Sequence, residues 1–320
     1  MWDFCGIPKP VLCELSKAYN LSEDDLFAAL SLLRYNLTWP ALSNIMRART
    51  KIGWSERSCE RKVARIFVTL STSGLINLDP LTQRENDLSP LLGKNVIGSI
   101  DTVPVYCEQE RDGHLYQPKY SHAVWKFIVL TSHTGFGMIV CGPFLGSEAD
   151  NQVLAKSKIL ERIPPGSHLL ADCAFSGAGI VKPVTAAQFS SVKVLKQRQY
   201  VKNSVIAFFR SRIEHFFGKQ LVGRFRAFKG WTHKDPEMLA HAFRTAAAVV
   251  NFEQQWMYSH GGRYPPLEGE YRAMCYEKIQ GCTSQLSRYG TIESDIDEPL
   301  ANPRQAEAET LKRLRKRYRD

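Results

Sequence analysis

The sequence has no stretch that approaches the roughly 18 uninterrupted apolar residues expected of a membrane span. It has no CxxC pair either: its eight cysteines stand apart at 5, 13, 59, 107, 141, 173, 275 and 282. A zinc ribbon or a redox pair needs close spacing, and a disulfide scaffold needs far higher density, so reduced structural thiols are the expectation. Cys107, Cys141 and Cys173 lie in apolar, strand-like runs, where a free thiol behaves as a small hydrophobe. His114, His122 and His133 do not reach zinc-ligand spacing with their neighbouring cysteines. Ser176 in FSGAG lacks the flanking pattern of a nucleophile elbow. There is no internal repeat and no Gly-rich phosphate loop. The opening MWDFCGIPKPVLCEL, acidic then basic and broken by prolines, lacks the plan of a signal peptide. A soluble intracellular protein is expected.

Acidic residues are in deficit. The chain of 320 residues carries a formal charge of +10, with a pI near 9.2. The distribution says more than the total. Between Ser204 and Lys234 there are seven Lys/Arg and one acid, Glu214; Leu311 to Arg319 adds six Lys/Arg and no acid. Clustered positive charge raises local phosphate affinity, which points to a polyanionic partner. The end LKRLRKRYR reads equally as a nuclear-import signal, a DNA-binding arm or a solvated tail.

Three regions follow from the texture of the chain. Residues 1–90 read as helical. Ser22 precedes Asp25 at capping-box spacing, and Leu26, Leu30, Leu33 and Leu37 form one stripe. Thr38 before Trp39-Pro40 marks a second start, and Gly53 with Ser55 a turn and a third. From Ser55 to Leu70 the apolar Cys59, Val63, Ile66, Phe67 and Leu70 take one side, and Arg57, Arg61 and Arg65 the other. A short helix, a turn and a longer helix with a basic outer row is a helix–turn–helix arrangement; an ordinary bundle with a solvated basic face has the same pattern. Asn77–Lys94 suits a linker. Residues 91–260 read as an α/β unit: strands at Val96–Cys107, Ala123–Thr131 and Phe136–Phe144, with a turn at His133-Thr134-Gly135. A helix near Ala149–Leu160, strands at Ser167–Asp172 and Val192–Leu195, and helices at Ser204–Leu221 and Pro236–Trp256 complete it. From Gly261 to Asp320 periodicity is lost, which suggests a partly disordered tail.

Four acids then stand out. Asp101 sits inside the strand-like VIGSIDTVPVY, although Asp is depleted in strands. Asp172 ends the apolar run SHLLAD, where it also suits a turn cap. Asp150 opens a helix, a place the dipole favours for a carboxylate. Glu214 lies on IAFFRSRIEHFFGKQ, beside a stripe of Phe209, Ile213, Phe216 and Phe217; a local pair with Arg210 would explain it equally well. Each acid alone has this ordinary reading. In order, they form an acid on a first strand, an acid ending a later strand, and a Glu on a following basic helix. Phosphodiester cleavage with two divalent cations needs three or four such carboxylates converging at strand and helix ends. Hard Mg²⁺ or Mn²⁺ ions take oxygen donors.

The series SIDTVPV, GSEAD, LLADCAFSG and RSRIEHFFGK followed by GRFRAF resembles the motifs of Harbinger-type DDE transposases and their bacterial insertion-sequence relatives, from about Ser22 to Phe252. The resemblance implies a ribonuclease-H-like mixed sheet flanked by helices, behind an N-terminal all-α helix–turn–helix domain. It implies a catalytic triad of Asp101, Asp172 and Glu214, with Asp150 joining them as a fourth ligand to two Mg²⁺ or Mn²⁺ ions. Ala149 replaces a His common in the family before the fourth acid, and Ala174-Phe175 stands where Gly-Tyr is frequent; neither removes a carboxylate. The implied activity is a DNA transposase or endonuclease that cleaves and joins phosphodiester bonds. The alternative is a domesticated, transposase-derived DNA-binding protein without nuclease activity. Double-stranded DNA is the expected partner, held by Arg57, Arg61 and Arg65 and by Arg210, Arg212, Lys219, Arg224, Arg226 and Lys229. A homo-oligomer and a separate DNA-binding partner protein are both compatible with this reading. The expected location is the nucleus in a eukaryote, the cytoplasm otherwise.

Overall fold

Ser22 and Ser55 start the two longest N-terminal helices by the same device. In the computed structural model of the protein, each hydroxyl accepts an otherwise orphaned backbone N–H, from Asp25 at 3.4 Å and from Ser58 at 3.2 Å. The structure describes residues 2–76, 95–108, 113–133, 135–183, 197–233 and 235–260. The expected linker, the strand at Val192–Leu195 and the region from Gly261 onward lie outside the described residues.

The N-terminal helices are α1 (Lys9–Ala18), α2 (Glu23–Tyr35), α3 (Trp39–Thr50) and α4 (Glu56–Ser71). Helix α3 starts at Trp39-Pro40 as expected, without a side-chain bond from Thr38. Asn36 and Lys51 close α2 and α3 in the left-handed conformation. Helix α1, preceded by a 3₁₀ turn at Trp2–Cys5, was not individually legible in the sequence.

The sheet is built from β1 (Val96–Tyr106), β2 (Tyr116–Gln117), β3 (His122–Thr131), β4 (Gly137–Leu145), β5 (His168–Leu170) and β6 (Ile180–Val181). Strand β3 pairs antiparallel with β1, β2 and β4, while β1–β5 and β5–β6 are parallel. The order β4–β3–β1–β5–β6, three antiparallel strands and then two parallel ones, fits a ribonuclease-H-like nuclease fold. Gly98 allows β1 to approach β3: a Cβ there would meet the Thr131 carbonyl oxygen at 2.2 Å. Helices α5 (Asp150–Ser157) and α6 (Ile159–Arg162) follow β4. Helix α7 (Gln197–His215) runs into a π-helical turn at Phe216–Leu221, a 3₁₀ turn at Arg226–Lys229, and helix α8 (Pro236–Ser259).

Alternation along the strands feeds two cores, one on each face of the sheet. Ile100, Ile128, Leu130 and Ile139 pack with Val153 and Leu154 of α5, and with Phe175. Val103, Val105, Phe127 and Val129 pack on the other side with α8, where Phe127 and Phe243 stack at 4.1 Å between ring centroids. That second cluster continues without a break into the apolar faces of α1 to α4. Polar bonds cross the same boundary: the Thr245 hydroxyl donates to the Phe67 carbonyl, and the Asn251 amide to that of Leu75. The N-terminal helices and the sheet therefore share one hydrophobic core. No helix among the described residues is long and apolar enough to cross a membrane.

Candidate active site

Parallel pairing of β1 with β5 sets Ser99 opposite Leu170. Two residues further along each chain come Asp101 and, just past the end of β5, Asp172. Their side chains project to the same face, because each is two positions beyond a paired residue. The Arg210 guanidinium of α7 spans them, one nitrogen 3.8 Å from Asp101 Oδ2 and the other 3.8 Å from Asp172 Oδ1. The two carboxylates are thus held within about 10 Å of each other, the reach of one planar guanidinium and its contacts.

Asp101 pays for its place in the strand. Its carboxyl is pushed up to about 6, first by burial and then by the neighbouring charges of Asp172 and Asp150. The Thr102 N–H, which donates to Asp101 Oδ1 at 2.8 Å, and the Arg210 charge pull the other way and lose. Asp172 is half exposed, and its Oδ1 accepts the Cys173 N–H at 2.6 Å, so the turn-capping role suggested by sequence is also fulfilled.

Asp150 is reached from the other side of β1. It is the first residue of α5, and its Oδ1 accepts from the Thr102 hydroxyl at 2.9 Å. Thr102 follows Asp101 in the strand and so points to the opposite face. Lys126 of β3, with its side chain only 5% exposed, lies on that face too; its ammonium donates to the Glu148 carbonyl at 2.6 Å and to Asp150 Oδ1 at 3.3 Å. Sequence reasoning missed Lys126. The signal was available: it is the lone charge in the apolar run AVWKFIVLT, where a strand-interior lysine needs a partner to offset its desolvation.

Glu214 is exposed, one helical turn after Arg210 on α7. The i,i+4 pair between them that would have explained Glu214 locally does not form, because Arg210 faces the aspartates instead. The structure thus brings Asp101 and Asp172 together and reaches Asp150 through Thr102, while the Glu214 side chain is exposed and makes no hydrogen bond or ion pair among the described residues. Of the residues expected on DNA phosphates, Arg57, Arg61, Arg65, Lys219, Arg226 and Lys229 are exposed. Arg212 is half-buried, over the Phe208 ring. Two depart from that expectation. Arg224 is turned inward to Glu253 and Gln220, and Arg210 is directed at the acids. Both sit where burial leaves a guanidinium only internal acceptors.

Asp101, Asp150 and Asp172 offer carboxylate oxygens alone, the donors that Mg²⁺ and Mn²⁺ take. The frustrated charge at Asp101 is of the kind a divalent cation relieves. In kind, the donor set fits such an ion. Among the described residues, no three His, Cys, Asp or Glu side chains are grouped closely enough to enclose one. Arg210 lies against the Asp101–Asp172 pair, while Asp150 is anchored through the opposite face. No curated protein and no solved structure matches the chain. Residues 100–251, the stretch that holds all four acids, match the family model described as DDE superfamily endonuclease.

Proposed function

We propose that the protein is a metal-dependent DNA transposase or endonuclease, which hydrolyses a phosphodiester and then joins the freed 3′-hydroxyl to target DNA by in-line transesterification, one target P–O bond breaking as the new one forms. The observation that carries this reading is the Asp101–Asp172 pair, brought together by the parallel pairing of β1 and β5 under one guanidinium, with Asp101 held ionisable at a cost set first by burial and then by its neighbours' charge. When bound, a pair of Mg²⁺ or Mn²⁺ ions supplies positive charge to the attacking and departing oxygens of an in-line displacement. Asp101 and Asp172 would hold it. Asp150 would contribute its second oxygen, since Thr102 and Lys126 occupy only Oδ1. Glu214, on the same helix as Arg210, would add a fourth carboxylate.

The other parts of the chain fit the same substrate. The α3–turn–α4 unit would act as a helix–turn–helix, with Arg57, Arg61 and Arg65 of α4 on DNA phosphates. Exposed Lys219, Arg226 and Lys229 would hold the backbone nearer the acids. Self-association and a separate DNA-binding partner are compatible with this surface. The decisive experiment is nicking of supercoiled plasmid with Mg²⁺ or Mn²⁺, wild type beside Asp172→Asn. The expected result is relaxation by wild type and loss of at least about a hundredfold in the variant, with DNA affinity retained. DNA binding without metal-dependent nicking, and without any metal-dependent shift in melting temperature, would instead identify a domesticated DNA-binding protein.

A further inference from the structure

Arg210 holds a position that a phosphate-binding arginine would not. It is largely buried, its side chain 13% exposed, and its charge is directed at two carboxylates from a helix otherwise expected to face DNA. Yet the approach is loose. Both guanidinium nitrogens lie at 3.8 Å, outside hydrogen-bond range, and the buried Nε has no hydrogen-bond partner. A buried donor without an acceptor costs free energy, so the arginine is poised rather than locked. Its departure would uncover both acids at once.

We propose that Arg210 is the resident cation of the Asp101–Asp172 pair, and that a divalent ion enters only by displacing its guanidinium. In the metal-free protein it offsets part of the repulsion among the aspartates, as its opposing effect on Asp101 records. A divalent ion and a guanidinium cannot both fill the space between two neighbouring carboxylates. Binding therefore carries the cost of moving Arg210 out. The helix that carries Arg210 also carries Glu214 one turn later and ends in the π-helical turn Phe216–Leu221. Such segments interrupt the regular hydrogen-bond ladder and are frequent at functional sites. Because the two share one face, a slide of α7 by about one turn along its axis would withdraw Arg210 and bring up Glu214, replacing a positive charge at the pair by a fourth carboxylate. This inference rests on the metal-dependent reading above, and adds to it a gate set by one residue.

The test is Mn²⁺ binding, measured by calorimetry on wild type, Arg210→Gln, Arg210→Lys and Asp172→Asn at one pH. A guanidinium that occupies the pair nine-tenths of the time weakens apparent affinity about tenfold, so Arg210→Gln should bind Mn²⁺ about ten times more tightly. Arg210→Lys should recover most of that gain, because a point ammonium keeps the charge but cannot span two carboxylates. Asp172→Asn should lose the site. In wild type, the Arg210 Nε–H resonance, identified by its disappearance in Arg210→Lys, should shift when diamagnetic Mg²⁺ is added. That measurement needs no loss-of-charge variant to fold. Arg210→Gln tighter but Arg210→Lys unchanged would overturn displacement in favour of through-space charge. Arg210→Gln no tighter than a wild type that binds Mn²⁺ would overturn the gate and leave the metal-dependent reading standing. No Mn²⁺ binding by any of the proteins, Arg210→Gln included, would overturn both.

Discussion

Replacing Asp101 by Asn should stabilise the metal-free protein, an unusual outcome for a half-buried residue in the central strand of a sheet. The carboxyl is raised from 3.8 to about 6 by burial and by Asp172 and Asp150. The folded state therefore binds this proton more tightly than the unfolded state does. Between about pH 4 and pH 6 the folded protein holds more protons than the unfolded, so by linkage stability falls as pH rises through this window. Above the folded value the penalty is fully present. At 1.36 kcal/mol per pH unit it amounts to about 2–3 kcal/mol, with some allowance for the part of the side chain that is still solvated. Asn has nearly the shape of the protonated acid and never ionises. Urea denaturation in EDTA-treated buffer at pH 8 should show Asp101→Asn more stable by about 2–3 kcal/mol, with a melting point higher by on the order of 5 °C. At pH 4 the two proteins should converge. Excess Mg²⁺ should narrow the gap at pH 8, because only the wild type has the charge that the cation stabilises. A variant no more stable than wild type at pH 8, or a gap that does not change with pH, would refute the account of Asp101 as a carboxylate destabilised by burial and by its acidic neighbours.

Other perturbations probe different links. Lys126→Met removes the ammonium that pairs with Asp150 in a largely buried setting, and should cost about 2–4 kcal/mol in urea denaturation because a carboxylate is left without its counter-charge. Replacing Arg57, Arg61 and Arg65 together with Ala should weaken DNA binding and flatten its salt dependence by about 0.9 in log–log slope for each phosphate no longer neutralised; an unchanged slope would make α4 a packing helix only. Phe243→Ala should cost about 3–5 kcal/mol, since the ring is fully buried against Phe127. The N-terminal helices should unfold in the same transition as the sheet, because they share its core; separate melting by tryptophan fluorescence and far-ultraviolet circular dichroism would show otherwise.

Local interactions made much of this protein legible from its sequence. Ser22 and Ser55 begin helices because a hydroxyl three residues ahead of an orphaned N–H can cap it wherever the helix finally packs. The apolar stripe Cys59, Val63, Ile66, Phe67 and Leu70 could only be a buried helix face, and it is one. An aspartate inside the run VIGSIDTVPVY needed a reason, and its order with Asp172 and Glu214 suggested the chemistry. Two-residue strands such as β2 and β6 carry no period and were invisible. Position across the sheet was beyond sequence as well. Only the parallel register of β1 and β5 sets Asp101 beside Asp172, and only strand alternation sends Thr102, with Asp150 and Lys126, to the far face. The facing of α7 was likewise a tertiary choice. Arg210 and Glu214 are four residues apart on one helix and point in similar directions, so periodicity could not say which would meet the acids. The packing of α7 against β1 decided it: a largely buried Asp101 beside a half-exposed Asp172 draws the nearest cation, and here that cation is Arg210.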